Sequence, residues 1–313
     1  MDDNLISNAR RTAARLGPVG VWSNALAGAC AADARAAAVA FERLGYGSLW
    51  IGETPRFGRE ALSHAAILLA ATESIVVATG IANIWLRTPA AMTAAANTLA
   101  EAYPDRFILG IGASHAVALS LVGQDYSKPL TAVRTYLDGM TEAAYLGPAP
   151  AAPLPVVLAA LRQRMQELAR DRSTGMHSFF VSPAHTAAAR ALLGADPLLV
   201  PEQAVVVDDD LVAARQRARQ HVQSRLALPN YVNHVRALGY GDSDLADGGS
   251  DALVNDLVAW GDADKVAARI QQHLDAGADH VAVHPLEHAG DPFGIGQLSR
   301  LSPLLMPTVT RRP

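Results

Sequence analysis

Short apolar runs rich in β-branched residues alternate along this chain with longer alanine-rich stretches whose apolar positions recur at helical spacing. A parallel sheet with crossover helices is written this way in sequence. Val19-Gly20-Val21-Trp22, bounded by Pro18 and Ser23, predicts a first strand, and a helix over 31–44 follows until Gly45 stops it. Ser48-Leu49-Trp50-Ile51-Gly52 predicts the second strand, 59–71 the second helix and 74–81 the third strand. Pro89 opens a third helix, since the missing N–H costs nothing in a first turn. Strands at 106–112, 156–159, 178–181 and 204–207 come next, with helices over 130–144, 162–170 and 183–193 and a proline-rich loop over 148–155. A helix over 264–276 and the turn Gly277-Ala278 lead into His280-Val281-Ala282-Val283-His284.

Eight such units in roughly 250 to 300 residues predict an α/β fold, a (β/α)8 barrel forming one domain over 1–313. A doubly wound sheet would close with fewer strands and carry a nucleotide fingerprint near its start. The stretch 221–260 breaks the alternation with Pro229-Asn230-Tyr231, Gly239-Tyr240-Gly241 and an acidic, glycine-bearing run over 242–251. It reads as an insertion before the last strand, serving as a lid or an interface element.

Composition narrows the function. With 313 residues, 50% of them hydrophobic and 18% charged, the chain can bury a large core. A net charge of −4, with no basic tract beyond Arg10-Arg11 and Arg311-Arg312, leaves no footprint for nucleic acid phosphates. No apolar run approaches the roughly 20 residues of a membrane span. Met1-Asp2-Asp3-Asn4 is acidic where a secretory signal is basic, so a cytoplasmic location is expected. One cysteine, Cys30, can make neither an internal disulfide nor a thiolate zinc cluster.

The run Thr79-Gly80-Ile81-Ala82-Asn83-Ile84-Trp85-Leu86-Arg87-Thr88-Pro89, then Thr98-Leu99, then Asp105-Arg106-Phe107-Ile108-Leu109-Gly110-Ile111-Gly112, resembles the third and fourth barrel strands of the bacterial luciferase-like monooxygenase superfamily. Gly20-Val21-Trp22-Ser23, Pro229-Asn230-Tyr231-Val232-Asn233 and Gly248-Gly249-Ser250-Asp251 look like its actinobacterial, coenzyme F420-dependent branch. The resemblance implies a deazaflavin, or alternatively FMN, lying across the C-terminal mouth of the barrel, where strand ends converge. It also implies a non-prolyl cis peptide behind the ring at Gly80-Ile81, for which a plain β-bulge glycine is the alternative. Relatives pair a histidine after the second strand with an acid after the fourth for proton transfer; the matching positions here are Glu53 and His115, with the two types exchanged. A solvated loop acid and an ordinary residue at a helix start are the competing readings of that pair.

Trp22, Asn83, Gly112 and Ser114 are placed around the ring, with Trp85 as a neighbour and Trp50 in the core, and His177 faces either the mouth or the core. Arg87 fits either an anionic ligand or a local salt bridge. Where many relatives have Gly-Pro-x-Met to seat the cofactor phosphate, this chain has Leu161-Arg162-Gln163-Arg164-Met165. Either the seat is lost, or Arg162 and Arg164 replace it with charge suited to a polyglutamylated tail. The expected activity is hydride transfer to or from a small organic substrate. An FMN-dependent monooxygenase needing a flavin reductase and oxygen and a cofactor-free binding protein are the alternatives, with a flavin or deazaflavin reductase as the expected partner. The resemblance implies a homodimer, for which the alanine-rich helices over 31–40 and 61–71 suit close packing as well as they suit the inside of the barrel shell.

Several motifs are set aside. His284-Pro285-Leu286-Glu287-His288 spells an inverted zinc-protease pattern, but Pro285 opposes the helix that would bring both histidines to one face, so no metal is expected. Gly110-Ile111-Gly112 lacks the third glycine of a dinucleotide fingerprint. Ser114 and His115 are adjacent and point apart, which excludes a nucleophile–base pair. Asp242-Ser243-Asp244 with Asp247-Gly248 has the wrong spacing for a calcium loop.

Overall fold

A computed structural model describes residues 3–54, 58–124 and 126–306; Met1, Asp2 and the Arg311-Arg312 tail lie outside the described residues. Ten strands occur among them: β1 (Val19–Ser23), β2 (Ser48–Ile51), β3 (Val76–Thr79), β4 (Ala82–Asn83), β5 (Phe107–Gly112), β6 (Val156–Ala159), β7 (Gly175–Ser178), β8 (Leu198–Val207), β9 (Val258–Gly261) and β10 (Val281–Pro285). Eight pair in parallel in the order β10-β1-β2-β3-β5-β6-β7-β8, and β8 pairs with β10 to close the ring. The (β/α)8 barrel read from the alternation is the fold observed.

Alternate residues on each strand divide between two cores, as the pleat requires. Trp22, Trp50, Val76, Ala78, Ile108, Val157, Leu198, Val200 and Ala282 pack with one another inside the ring. Their neighbours Val21, Leu49, Ile51, Val77, Leu109, Leu158, Leu199 and Val283 pack in the large cluster formed with the surrounding helices. Glycine makes room inside for large partners: a Cβ on Gly20 would lie 2.0 Å from Ser48 Oγ and 2.6 Å from His280 Nε2. That space holds a continuous chain in which Trp50 Nε1 donates to Ser48 Oγ at 2.8 Å, Ser48 meets His280 Nε2 at 2.7 Å, and His280 Nδ1 donates to the Gly17 carbonyl. Burial holds this imidazole neutral, its pKa pushed down to about 4.

Sequence and structure differ in places that bear on the mouth. The third strand stops at Thr79, turns through the Gly80-Ile81 peptide, which is cis, and resumes as β4 against β5. The sixth strand is Gly175–Ser178 rather than 178–181. Phe179-Phe180-Val181 is more apolar, but Phe180 takes a left-handed conformation (φ 63°) and gives its N–H to Glu202 instead of the ladder. The seventh strand begins at Leu198, because the polar residues beyond Pro201 are bonded inside the fold: Gln203 to the Leu257 carbonyl and to His273, Glu202 to His284. Helices Asp3–Leu16 and Ile295–Leu305 were not expected; the first sets Ala9 and Leu16 against the interior cluster.

The insertion is helical and begins earlier than the pattern indicated. Helices Leu211–Leu226, Pro229–Ala237 and Asp251–Leu257 are followed by β9, which pairs with the outer half of β8 from Ala204↔Val258 to Val207↔Gly261. Val222, Tyr231, Val235, Leu253, Val254 and Leu257 form a separate small core with Phe180 and Leu286, so these helices sit on the C-terminal side of the strands. No described helix is long and apolar enough to cross a membrane.

Candidate active site

Three groups of polar side chains converge at the C-terminal ends of the strands. The first is built on Glu53, directly after β2. Its carboxylate is buried and accepts from the N–H groups of Ala61 (3.1 Å) and Asn83 (2.7 Å) and from both terminal nitrogens of Arg87. Arg87 also bonds Glu60, and its carbonyl accepts from Tyr136. The geometry commits both Glu53 oxygens to fixed donors. Glu53 therefore pins β4 and the segment leading to Pro89 against the end of β2, and it shares no hydrogen bond with His115. Of the two readings of Arg87, the salt bridge is the one formed.

Asn83 is held by this corner. Its Oδ1 accepts from the Trp85 N–H at 3.0 Å, while its Nδ2, fully buried, has no acceptor. Next to it, Gly80 has the backbone clearance that the turn needs: a Cβ there would sit 2.8 Å from Trp22 Nε1 and 3.4 Å from His177 Nε2. Trp22 Nε1 donates to the Gly80 carbonyl at 3.2 Å, and Gly112, on the strand paired with β4, lies beside Ile81, where a Cβ would meet Ile81 Cγ1 at 3.0 Å. His177 lies in the interior, stacked on Trp50 with centroids 4.8 Å apart. Its Nδ1 donates to the Val200 carbonyl, so Nε2 carries a lone pair with no donor, and burial pushes its pKa down to about 4. Ser23 Oγ and Ser178 Oγ, also at strand ends, are buried without partners.

The second group joins the barrel to the insertion. Ser114, after β5, adopts φ 58°, and His115 follows as the N-cap residue of a short helix. His115 Nδ1 lies 2.7 Å from Asn230 Oδ1, on the helix Pro229–Ala237. With an oxygen as partner, Nδ1 carries the proton and Nε2 is the basic nitrogen. Burial lowers the His115 pKa, with Arg225 adding to the effect and Asn230 opposing it. This histidine is therefore a neutral base near pH 7.

The third group was missed in the sequence. Glu202 on β8 and His284 on β10 are almost fully buried and joined Oε1 to Nδ1 at 2.7 Å. Glu202 Oε2 accepts from the Phe180 N–H at 3.0 Å. His221, from the helix Leu211–Leu226, packs edge-on against His284 at 5.5 Å, and its Nε2 is buried without a partner. Trp22 and Phe179 cover His284 at centroid distances of 4.5 and 5.9 Å, and Arg225 lies over the Phe179 ring. The available signal was parity. Leu198, Val200 and Glu202 share a strand face, as do His280, Ala282 and His284, and the interior cluster marks those faces as inward.

A sequence model of the luciferase-like monooxygenase family matches residues 16–280. The chain belongs to that family. This luciferase-like protein is 26% identical over 294 residues to 5,10-methylenetetrahydromethanopterin reductase of Methanolobus tindarius, covering 81% of this chain and 88% of that one. Among solved structures it shares its fold with an F420-dependent secondary alcohol dehydrogenase in complex with an F420-acetone adduct (TM-score 0.75, 16% identity, 93% and 99% of the two chains). It also shares it with the oxygenating constituent of 3,6-diketocamphane monooxygenase of Pseudomonas putida in complex with FMN (TM-score 0.67, 16% identity, 93% and 97%).

The mouth of this luciferase-like barrel suits a planar, polar cofactor. Asn83 Nδ2, His177 Nε2, Ser23 Oγ and Ser178 Oγ are buried polar atoms that the protein leaves unpaired, and such atoms cost stability unless a ligand or water meets them. Arg162 is the N-cap residue of the helix Gln163–Arg172 and makes no side-chain cap, so the first N–H groups of that helix have no side-chain acceptor there. Arg162 and Arg164 are exposed at that end, and neither forms an ion pair among the described residues.

Proposed function

We propose that this luciferase-like oxidoreductase binds the deazaflavin coenzyme F420 across the barrel mouth and uses it in hydride transfer with a small organic substrate. The observation that carries the reading is the set of unpaired buried polar atoms on Asn83, Ser23 and Ser178, at strand ends, and on His177, beside Gly80. When bound, the deazaflavin supplies the carbon that accepts or donates hydride. Asn83 Nδ2 offers a hydrogen bond to a ring carbonyl, and the Glu53–Arg87 pair holds Asn83 in place; Glu53 is thus a positioning residue. Trp22 and Phe179 form an apolar wall that excludes water. His115 Nε2 takes up or returns the substrate proton, with Asn230 fixing the tautomer. Arg162 and Arg164 meet an anionic tail with side-chain charge, in keeping with the missing glycine and proline.

The test is a fluorescence titration of the purified protein with F420 and with FMN in parallel. Selective F420 binding is expected, with Asn83→Ala weakening it about tenfold, the equivalent of one lost hydrogen bond. Selective FMN binding would favour the monooxygenase reading instead. Binding of neither at about 50 µM, a free energy of only about 6 kcal/mol, overturns the cofactor site.

A further inference from the structure

Eight histidines are buried among the described residues; five of them, His64, His177, His185, His221 and His234, keep a ring nitrogen without a partner, and two are bonded at both nitrogens. His280 is satisfied by Ser48 and Gly17, and His273 by Thr186 and Gln203. The group at the mouth differs. Glu202, His221 and His284 each present a ligating atom, all within 4.8 Å of one another, and all three residues are buried. Glu202 brings a carboxylate with 1% exposure, and its partners are a backbone N–H and His284.

A proton relay through Glu202 and His284 would account for those two side chains but would leave His221 Nε2 unsatisfied. A cation satisfies all three at once. We propose that Glu202, His221 and His284 form a binding site for one divalent transition-metal ion of the zinc type, tying the insertion helix Leu211–Leu226 to β8 and β10. Two imidazoles and one carboxylate are the donor set of open zinc and iron(II) sites.

The local chemistry supports the ligating forms. His221 Nε2 is buried and bonded to nothing, so no hydrogen bond has to break before it binds. Bonds of about 2.0–2.2 Å place two ligand atoms of one ion about 3.0–3.5 Å apart. The Glu202–His284 separation of 2.7 Å thus opens by less than about 1 Å as the ion replaces the shared proton. Phe180 N–H fixes the second carboxylate oxygen, and Trp22, Phe179 and Phe180 supply the apolar shell. His284 also begins the His-x-x-Glu-His motif, but His288 is exposed, and the fold assigns His284 to partners from other strands and helices.

The experiment uses the full chain, stripped of metal with chelator and titrated calorimetrically with ZnCl2, and with Co2+ as a spectroscopic probe. One equivalent per chain is expected, with a Co2+ spectrum of low coordination number. Glu202→Gln and His221→Ala should each weaken uptake at least tenfold, whereas His288→Ala should leave it unchanged. Circular dichroism establishes that each variant is folded, and Glu202→Gln decides the outcome if His221→Ala is not. No uptake at about 100 µM Zn2+, a free energy of only about 5.5 kcal/mol, or uptake unaltered in Glu202→Gln, overturns the proposal. Because metal uptake is read without F420 or substrate, its failure is separable from failure of the cofactor reading.

Discussion

Two carboxylates stand at the mouth of the same barrel in opposite conditions. Glu53 is met by an arginine and two backbone N–H groups, and its side chain is 3% exposed beside an Arg87 side chain that is 11% exposed. Glu202 is as deeply buried, yet it has only one backbone N–H and a histidine. A compensated buried charge reports architecture: Glu53 closes the joint between β2 and β4. An undercompensated one reports readiness for something else, because leaving a carboxylate short of partners in low dielectric is costly unless function requires it.

The contrast can be broken most forcefully at Arg87. Arg87→Met leaves Glu53 buried and unpaired, and a loss of about 3–5 kcal/mol in urea unfolding is expected, partly restored in the Glu53→Gln/Arg87→Met double variant. A loss below about 1 kcal/mol would place this pair among the weak surface bridges.

Acid sharpens the comparison, because two interior histidines are held neutral by burial and one of them, His177, feels the charge of Glu202. His177, whose folded pKa is about 4, gains protons on unfolding at any pH between that value and its ordinary 6.5. His280 behaves the same way. Since the unfolded chain binds more protons in that window, their contribution is intact above about pH 6.5 and shrinks as pH falls toward 4, by about 1 kcal/mol per pH unit for each. Urea midpoints should fall from pH 7 to pH 5. Hydrogen exchange should quicken at the Phe180 amide, bonded to Glu202, before the Asn83 amide, bonded to Glu53.

Glutamine replacements compare the two corners directly. Glu53→Gln should cost about 1–3 kcal/mol, because four donors lose a charged acceptor, whereas Glu202→Gln should stay within about 1 kcal/mol of the parent protein. Equal losses would erase the distinction. The smallest expected effect is at Asn230→Ala, which removes one hydrogen bond worth about 1 kcal/mol and frees the tautomer of His115. Nitrogen-15 spectra of the His115 ring should then show mixed Nδ1–H and Nε2–H forms.

Much of the scaffold was legible. Strands such as Val19–Ser23 and helices such as Pro183–Leu193 announce themselves by local period, by bounding residues and by Ser182 as N-cap. The turn at Gly80-Ile81 and the buried Asn83 were legible through the family resemblance. The sixth strand was misplaced by three residues, because Phe179-Phe180 outranks Gly175-Met176-His177-Ser178 in apolar character, while the real strand has His177 pointing into the barrel interior, stacked on Trp50. Glu202 was hidden in the same way, beyond Pro201 in a stretch that reads as a connection.

The amino-acid sequence on its own determined the alternation of strands and helices and, with it, the barrel and the strand ends at which its side chains converge. Only the tertiary structure decided which buried charge meets which partner. Arg87 comes from 34 positions away to neutralise Glu53, and His284 from 82 positions away to reach Glu202. Period is a local property of the backbone and can be read along the chain, whereas the compensation of a buried charge is set by distance in space, which ring closure and the packing of the insertion establish.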